Sequence, residues 1–252
     1  MNAADPAAQR NARAHRYLEE SRGDLAIPLF EEELAHRREA LGPDHPDALT
    51  AQSNLATAYQ AAGALDEAIA LYGSALALSR GALGQAHPDT LATQSNLATA
   101  YLDAGRLDEA TSLLEGTLAK RRAALGPTDP DTVASQGLLA TAYLDAGRLG
   151  EATALLEDTL AQHRALLGPE HPDTLTSQSI LAGAYLEAGR LDEATALLED
   201  ALAQHRALLG HAHPGTLTVQ TNLANAYRKA GRLGEAIPLY EAALKTSEDA
   251  LG

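Results

Sequence analysis

Histidine is the first residue type in this chain that could support chemistry, because it recurs at a regular spacing. Four of the nine histidines precede a proline and follow one another at a fixed step or a multiple of it: His45, His87, His171 and His213. Imidazole is a common metal ligand and an acid–base catalyst near neutral pH. Side chains one repeat apart lie too far from each other to share an ion, and the close pair His211 and His213 has no third ligand beside it. We therefore predict a structural role for the repeat histidines and no metal site.

Paired carboxylates are the second candidate, since two acids can act as general acid and general base. Pairs such as Asp66-Glu67 and Asp108-Glu109 recur at predicted helix starts, where an acid can cap backbone N–H groups and complements the helix dipole. We interpret Asp66 as an N-cap. The sequence contains no glycine-rich phosphate loop, serine-nucleophile elbow or zinc-protease motif. It has no cysteine either. We therefore predict that the protein is not an enzyme and binds no cofactor.

Composition and charge limit the classes of partner that the chain could bind. The formal net charge is −15, which disfavours nucleic acids and anionic membrane surfaces because both require a basic face. No apolar run approaches the roughly 18 residues of a membrane span. The first ten residues lack the apolar stretch of a secretory signal. We expect a cytoplasmic protein whose partners are proteins or peptides.

These residues belong to a sequence repeat of fixed length. Prolines recur at this interval, at Pro46, Pro88, Pro130, Pro172 and Pro214. Glycines recur at the same interval, at Gly42, Gly84, Gly126, Gly168, Gly210 and Gly252. A fixed period of this size is typical of stacked helical or strand units that share one core. We predict one domain, 1–252, with a degenerate, capping first unit at 1–42 and five further units at 43–84, 85–126, 127–168, 169–210 and 211–252.

Each unit has the pattern of two helices. In the second unit a helix begins at Pro46, presents an apolar stripe that includes Ala56 and Tyr59, and ends at Gly63, which suits a left-handed cap. A second helix of about 18 residues follows and ends at Gly84. Gln52 lies on the buried stripe, where we expect it to bridge helices or backbone carbonyls. Each helix has one apolar face, so we predict an all-α, right-handed superhelical solenoid of six antiparallel helix pairs.

The first unit departs from this pattern. The interval between Gly23 and Gly63 is shorter than the repeat step that separates the other glycines. The first helix carries Arg13, His15 and Arg16 near expected core positions. We interpret that helix as a polar cap. No comparable cap follows Leu251-Gly252, which predicts a fragment of a longer array or an end that self-associates.

The repeat motifs resemble those of the tetratricopeptide family. Leu55-Ala56-x-x-Tyr59 followed by Ala68-x-x-x-Tyr72 matches its small and large positions. The 42-residue step, Leu-Gly-x-x-His-Pro-Asp and Asn-Leu-Ala-x-x-Tyr are similar to the repeats of kinesin light chain, and such arrays also occur in bacterial proteins. The resemblance covers residues 24–252. It implies a non-catalytic protein-interaction scaffold whose first helices line a concave, peptide-binding groove.

The residues that would face this groove form what we call the first-helix row, since they point away from the buried stripe at 100° per residue. Asparagine amides could hold a peptide backbone, Leu138 and Ile180 could take an apolar anchor, and the acids would favour a basic segment. An open alternative is that the aliphatic residues pack against neighbouring helices. The row comprises Asn54, Thr57, Asn96, Thr99, Asp103, Leu138, Thr141, Asp145, Ile180, Glu187, Asn222, Asn225 and Lys229.

Three hypotheses of function follow. The first is a scaffold that binds a peptide or partner segment in the groove. The second is a structural array that forms homo-oligomers end to end through its last unit. The third is the sensor arm of a larger nucleotide-dependent regulator.

Overall fold

The computed structural model describes the backbone of residues 6–251 and the side chains of residues 9–246; the last repeat glycine, Gly252, lies outside them. Every regular element of this range is an α-helix, and the helices form six consecutive antiparallel pairs, as predicted. In each pair we call the odd-numbered helix the first helix and the even-numbered one the second helix. They are α1 (Pro6–Glu19), α2 (Gly23–Leu41), α3 (Pro46–Ala61), α4 (Leu65–Ala82), α5 (Pro88–Asp103), α6 (Leu107–Leu125), α7 (Pro130–Asp145), α8 (Leu149–Leu167), α9 (Pro172–Glu187), α10 (Leu191–Leu209), α11 (Pro214–Lys229) and α12 (Leu233–Leu251).

The first helices after α1 all begin with a proline preceded by a capping side chain, which is Asp129 in α7 and a histidine in the other four. Proline occupies the first helical position, where its fixed φ suits the helix and its missing N–H removes no hydrogen bond. In α3 the preceding residue, His45, accepts a hydrogen bond at Nδ1 from the backbone N–H of Asp47, at 3.2 Å. His87, His171 and His213 do the same in their own helices. The predicted structural role of the repeat histidines is confirmed.

A glycine turn joins the two helices of a pair. Gly105 adopts φ 70°, and the N–H of Arg106 donates to the carbonyl of Tyr101 at 2.8 Å, so the carbonyls at the end of α5 are satisfied. The guanidinium of Arg106 then stacks over the Tyr101 ring, 4.5 Å from its centroid. The N-cap of each second helix after α2 is the residue that follows this glycine. The prediction that Asp66 is an N-cap is therefore wrong: the cap is Ala64, and Asp66 lies in the first turn.

Small residues allow the two helices of a pair to cross closely. Ala56 and Ala68 are both fully buried, and one large side chain fills the space beside them, Tyr72 in this pair. The glutamines of the buried stripe connect the helices. Gln52 donates to the carbonyl of Leu71 at 2.7 Å, and Gln178 and Gln220 make the equivalent bonds in their pairs. The predicted bridging role is confirmed for these three glutamines.

The first pair uses glycine differently from the others. Ser21, in register with Gly63, takes the left-handed position with φ 57°. Gly23 is instead the first residue of α2, where a Cβ would come within 2.5 Å of the Ala58 carbonyl oxygen and the Ala62 nitrogen. Gly23 therefore does not close the turn of this pair. It is required because α3 approaches the start of α2 closely.

The polar residues of α1 lie outside the core. Arg13, His15 and Arg16 are exposed, whereas Ala14 is fully buried against Phe30 and its neighbours. This distribution is the one expected of a helix that covers one end of an array.

The contacts divide the chain into two compact units of three pairs each, unit 1 (1–126) and unit 2 (127–252). Each has its own apolar clusters between successive pairs. In the part of the chain described, no helix combines the length and apolar character needed to cross a bilayer.

Candidate functional site

In unit 1, two asparagines of the first-helix row line one cavity between α3 and α5. Asn54 is half-buried and Asn96 is exposed, and together with Thr50 and Ala92 they border a volume of about 230 Å³. Neither amide has a hydrogen-bond partner among the described residues. We call this the asparagine cavity. Its amides are available to donate to and accept from an extended backbone.

Three other row residues of unit 1 already use their polar atoms within the fold. The hydroxyl of Thr57 lies 2.7 Å from that of Tyr72 in α4, and the hydroxyl of Thr99 donates to the Ser95 carbonyl. Asp103 is exposed and accepts a hydrogen bond from Gln60 of the neighbouring first helix. These contacts connect α3 with α4 and α5 and leave less polar capacity for a ligand.

In unit 2, the cavity at the equivalent place is larger and apolar. Ile180 replaces the asparagine and is 43% exposed at its rim. The cavity lies between α9, α10 and α11 and has a volume of about 640 Å³. We call it the isoleucine cavity; its apolar lining includes Leu175, Leu208, Leu209 and Val219. An apolar hollow with an exposed aliphatic rim suits a bulky apolar side chain.

The charged row residues of unit 2 are exposed on three successive first helices. Asp145 lies at the end of α7, Glu187 at the end of α9 and Lys229 at the end of α11. On α7, Thr141 is exposed and Leu138 is half-buried. The sign of the charge therefore changes from acidic to basic between α9 and α11.

The last two row residues lie on α11 and differ in availability. Asn222 is half-buried and borders a cavity of about 470 Å³ between α11 and α12. The side-chain oxygen of Asn225 accepts a hydrogen bond from Tyr240 at 2.7 Å. Asn225 therefore holds the last pair together in the way that Thr57 holds the second.

The sequence pattern did not identify Leu208 and Leu209 as part of a site. Both are exposed beyond 40% at the end of α10. One signal was present: Leu208 lies next to the leucine that ends the apolar stripe, at a position where the second repeat (43–84) has Ala82. Such an extra apolar residue at a helix end indicates an exposed apolar surface, but only the packing of α9 and α11 shows that it borders a cavity.

Tyrosines of the first helices form hydrogen bonds with glutamates of the preceding second helices. Tyr185 donates to Glu157 at 2.8 Å, and Tyr227 donates to Glu199. Burial, followed by the hydrogen bond and negative charge of Glu199, raises the pKa of Tyr227 to about 12. Arg190 stacks over the Tyr185 ring, 4.2 Å from its centroid. Arg190 also donates a hydrogen bond to Glu193, which lowers the pKa of Glu193.

This network predicts a pH dependence at alkaline pH. The pKa of Tyr227 is higher in the folded chain than its ordinary value of 10.0, so the folded state holds the proton more tightly. The associated stability is present below pH 10 and is lost as the pH rises through about 12. We expect Glu199→Gln to lower the pKa of Tyr227, as measured by ultraviolet absorbance titration of the tyrosinate. Glu187→Gln, in the same unit, is the control and should leave this titration unchanged.

The described residues contain no group of three or more histidine, aspartate or glutamate side chains placed to hold a metal ion.

Comparison with known proteins agrees with these features. A family model described as tetratricopeptide repeat matches residues 6–81, 89–165, 139–204 and 177–249. A solved structure of putative kinesin light chain nearly identical TPR-like repeats from Podosopora anserina is 36% identical, with 82% of this chain and 99% of that chain aligned and a TM-score of 0.75. A search of curated proteins finds no match.

Two more distant structures share the fold alone. BtubC (BKLC) from P. vanneervenii is 22% identical over 98% of this chain and 93% of its own, with a TM-score of 0.67. The apo form of RapI is 12% identical over 97% of this chain and 77% of its own, with a TM-score of 0.65.

Proposed function

The chain belongs to the tetratricopeptide repeat family, and from this premise we propose that it is a non-catalytic scaffold that binds a partner segment on its first helices. The family resemblance expected from the repeat motifs is confirmed. Tetratricopeptide repeats are in general protein-interaction modules. The proposal goes further, because it assigns the binding surface and the chemistry of the segment bound.

The isoleucine cavity is the observation that carries this proposal. A monomeric fold gains from burying aliphatic side chains, at about 25 cal/mol per Å², yet Ile180, Leu208 and Leu209 are each more than 40% exposed around one hollow. Filling the hollow with an apolar anchor would remove this surface from water. The cavity thus supports an apolar residue as the central anchor of the bound segment.

The surroundings suggest the other features of the segment. Exposed Asp145 and Glu187 on neighbouring first helices favour a basic residue beside the anchor. The asparagine cavity of unit 1 is a separate candidate contact, and its amides without internal partners suit a peptide backbone. We therefore propose a peptide that combines an apolar anchor with basic residues.

A peptide-library selection followed by calorimetric titration tests the proposal. We expect Leu208→Asn to weaken the best apolar, basic peptide roughly tenfold or more, because it removes an aliphatic contact with the anchor. Leu166→Asn is the matched control, since Leu166 occupies the same place one repeat earlier, is 61% exposed and does not border the cavity. Equal losses in the two variants, or no peptide binding more tightly than about 100 μM to the folded chain, would contradict the proposal.

A second candidate function rests on the surface of α12. Leu233, Ile237 and Leu244 are each more than half exposed and lie on one side of this helix. Such a stripe favours association with a second copy of the chain. Light scattering over a range of concentrations tests it: association that is abolished by Ile237→Glu supports this function, and a constant monomer mass excludes it.

A further inference from the structure

A notch opens between the second helices α4 and α6 of unit 1, on a different surface from the first-helix row. Its volume is about 650 Å³, and α5 forms its floor. The apolar part of the lining consists of Leu76, Leu97 and Leu113. Arg80 and Lys120 lie at one end, and Asp108 and Glu109 lie at the other, in the first turn of α6.

Four hydrogen-bond donors of this notch have no acceptor among the described residues. Gln94 is 1% exposed, and its Nε2 is buried without a partner while its Oε1 accepts from Thr117 at 2.9 Å. The Tyr101 hydroxyl, the Arg80 guanidinium and the Lys120 ammonium group likewise bond to no described residue. A buried donor without an acceptor, such as Gln94 Nε2, is destabilising and rare in folded proteins. Tyr101 and Lys120 are half-buried and Arg80 is exposed, so these three donors can also bond to water. Here all four donors line one hollow.

The same place in unit 2 shows what these donors bond to when an acceptor is available. Two repeats further along the chain, Tyr185 donates to Glu157 at 2.8 Å. The other three donors of that set converge on a single carboxylate oxygen, Asp200 Oδ2, at 3.1–3.3 Å: Arg164, Gln178 and Gln204. The four donors correspond in register to Tyr101, Arg80, Gln94 and Lys120. In unit 2 the chain itself supplies two carboxylates to them.

Unit 1 lacks both carboxylates because glycine occupies their positions. Gly73 is in register with Glu157, and Gly116 is in register with Asp200. Neither glycine has a positive φ, and a Cβ at either would meet nothing within 4 Å. Packing and backbone conformation therefore do not require glycine, which weakens a helix interior. The consequence of the two glycines is an open hollow that retains its donors.

We propose that the notch is a docking site for an acidic segment of another protein, which supplies the two missing carboxylates. One carboxylate accepts from Tyr101, and the other accepts from Gln94, Arg80 and Lys120. The apolar lining and the volume exceed what two carboxyl groups need, so the leucines contact the aliphatic part of the segment. The charge of Glu109 is compensated by Arg106 at 2.8 Å, so the acids at the far end orient the segment without cancelling the basic end.

Two glycine substitutions test this site by filling it from within. We expect Gly73→Glu combined with Gly116→Asp to satisfy the donors, as Glu157 and Asp200 do in unit 2, and to weaken an acidic ligand about tenfold or more. The control is Gly73→Ala combined with Gly116→Ala, which removes the helix glycines without adding charge and should retain binding. A third variant, Arg80→Gln with Lys120→Gln, should lose binding without closing the notch.

The measurement is fluorescence anisotropy of the full chain with three probes: a labelled peptide that alternates glutamate and leucine, the same peptide with glutamine for glutamate, and glutarate as an unlabelled competitor. Binding of the glutamate peptide alone, lost in the carboxylate and charge variants and kept in the alanine variant, is the expected result. Equal binding of the glutamine peptide, or unchanged binding by the carboxylate variant, would overturn the proposal. Glutarate that competes as strongly as the unlabelled peptide would also overturn it, in favour of a small dicarboxylate. Because the variants leave the isoleucine cavity untouched, the outcome is independent of the proposed function.

Discussion

Replacing Tyr72 with alanine is expected to lower the free energy of unfolding by about 3–5 kcal/mol. Tyr72 is 1% exposed and packs in the cluster that joins the second and third pairs. Alanine would leave a cavity between helices that already approach closely through Ala56 and Ala68, so the surroundings can collapse only slightly. Urea-induced unfolding followed by circular dichroism measures the change.

Two control variants separate burial from hydrogen bonding at this position. Tyr72→Phe removes the hydroxyl that contacts Thr57 and should cost about 1 kcal/mol, because Thr57 keeps its bond to the Ser53 carbonyl. Tyr240 occupies the same register in the last pair and is only half-buried, so Tyr240→Ala should cost less than Tyr72→Ala. A loss below about 1 kcal/mol for Tyr72→Ala would mean that this core is not close-packed.

Gly23→Ala is expected to lower the free energy of unfolding by about 1–3 kcal/mol. The added Cβ would lie 2.5 Å from backbone atoms of Ala58 and Ala62, which cannot rotate away as a side chain could. The repeat consensus at this position is leucine, as at Leu65. Gly23→Leu therefore restores the consensus and should destabilise the chain still more. Thermal unfolding of the two variants measures both effects.

A substitution two residues earlier provides the control with the opposite sign. Ser21 has φ 57°, a conformation that glycine adopts without strain. Ser21→Gly also restores the consensus, but it should raise the free energy of unfolding by about 0.5 kcal/mol. The left-handed strain that it relieves is larger than the entropic cost of a more flexible unfolded chain. A stabilising Gly23→Ala would contradict the close approach of α2 and α3.

Helix positions were predictable because they depend on neighbouring residues. Pro46 begins α3, and Gly63 with φ 79° follows its end. Both depend on backbone conformations that these residue types prefer in any context. The N-cap of α4 was misassigned to Asp66. The hydrogen bond from the Ala64 N–H to the Tyr59 carbonyl closes the turn, and the helix therefore begins at the residue after Ala64.

The candidate binding surface was predictable only in part. Rotation around a helix correctly places Asn96 and Ile180 at the surface. It does not reveal that Thr57 and Asn225 already bond to tyrosines 15 residues further along the chain. It also does not reveal the hollow beside Ile180, because Leu208 and Leu209 come from another helix.

The amino-acid sequence by itself determined the repeat, the helix pairs, the family and the absence of cysteine chemistry, because each follows from local conformational preference, periodicity or composition. Only the tertiary structure decided that Gly23 permits a close approach while Gly63 closes a turn, although both are glycines of consecutive helix pairs. The sequence places glycine in unit 1 where unit 2 has Glu157 and Asp200, but only the tertiary structure shows which donors these carboxylates satisfy. The physical reason is that hydrogen-bond satisfaction depends on groups far apart in the chain, such as Tyr185 and Glu157, 28 residues away.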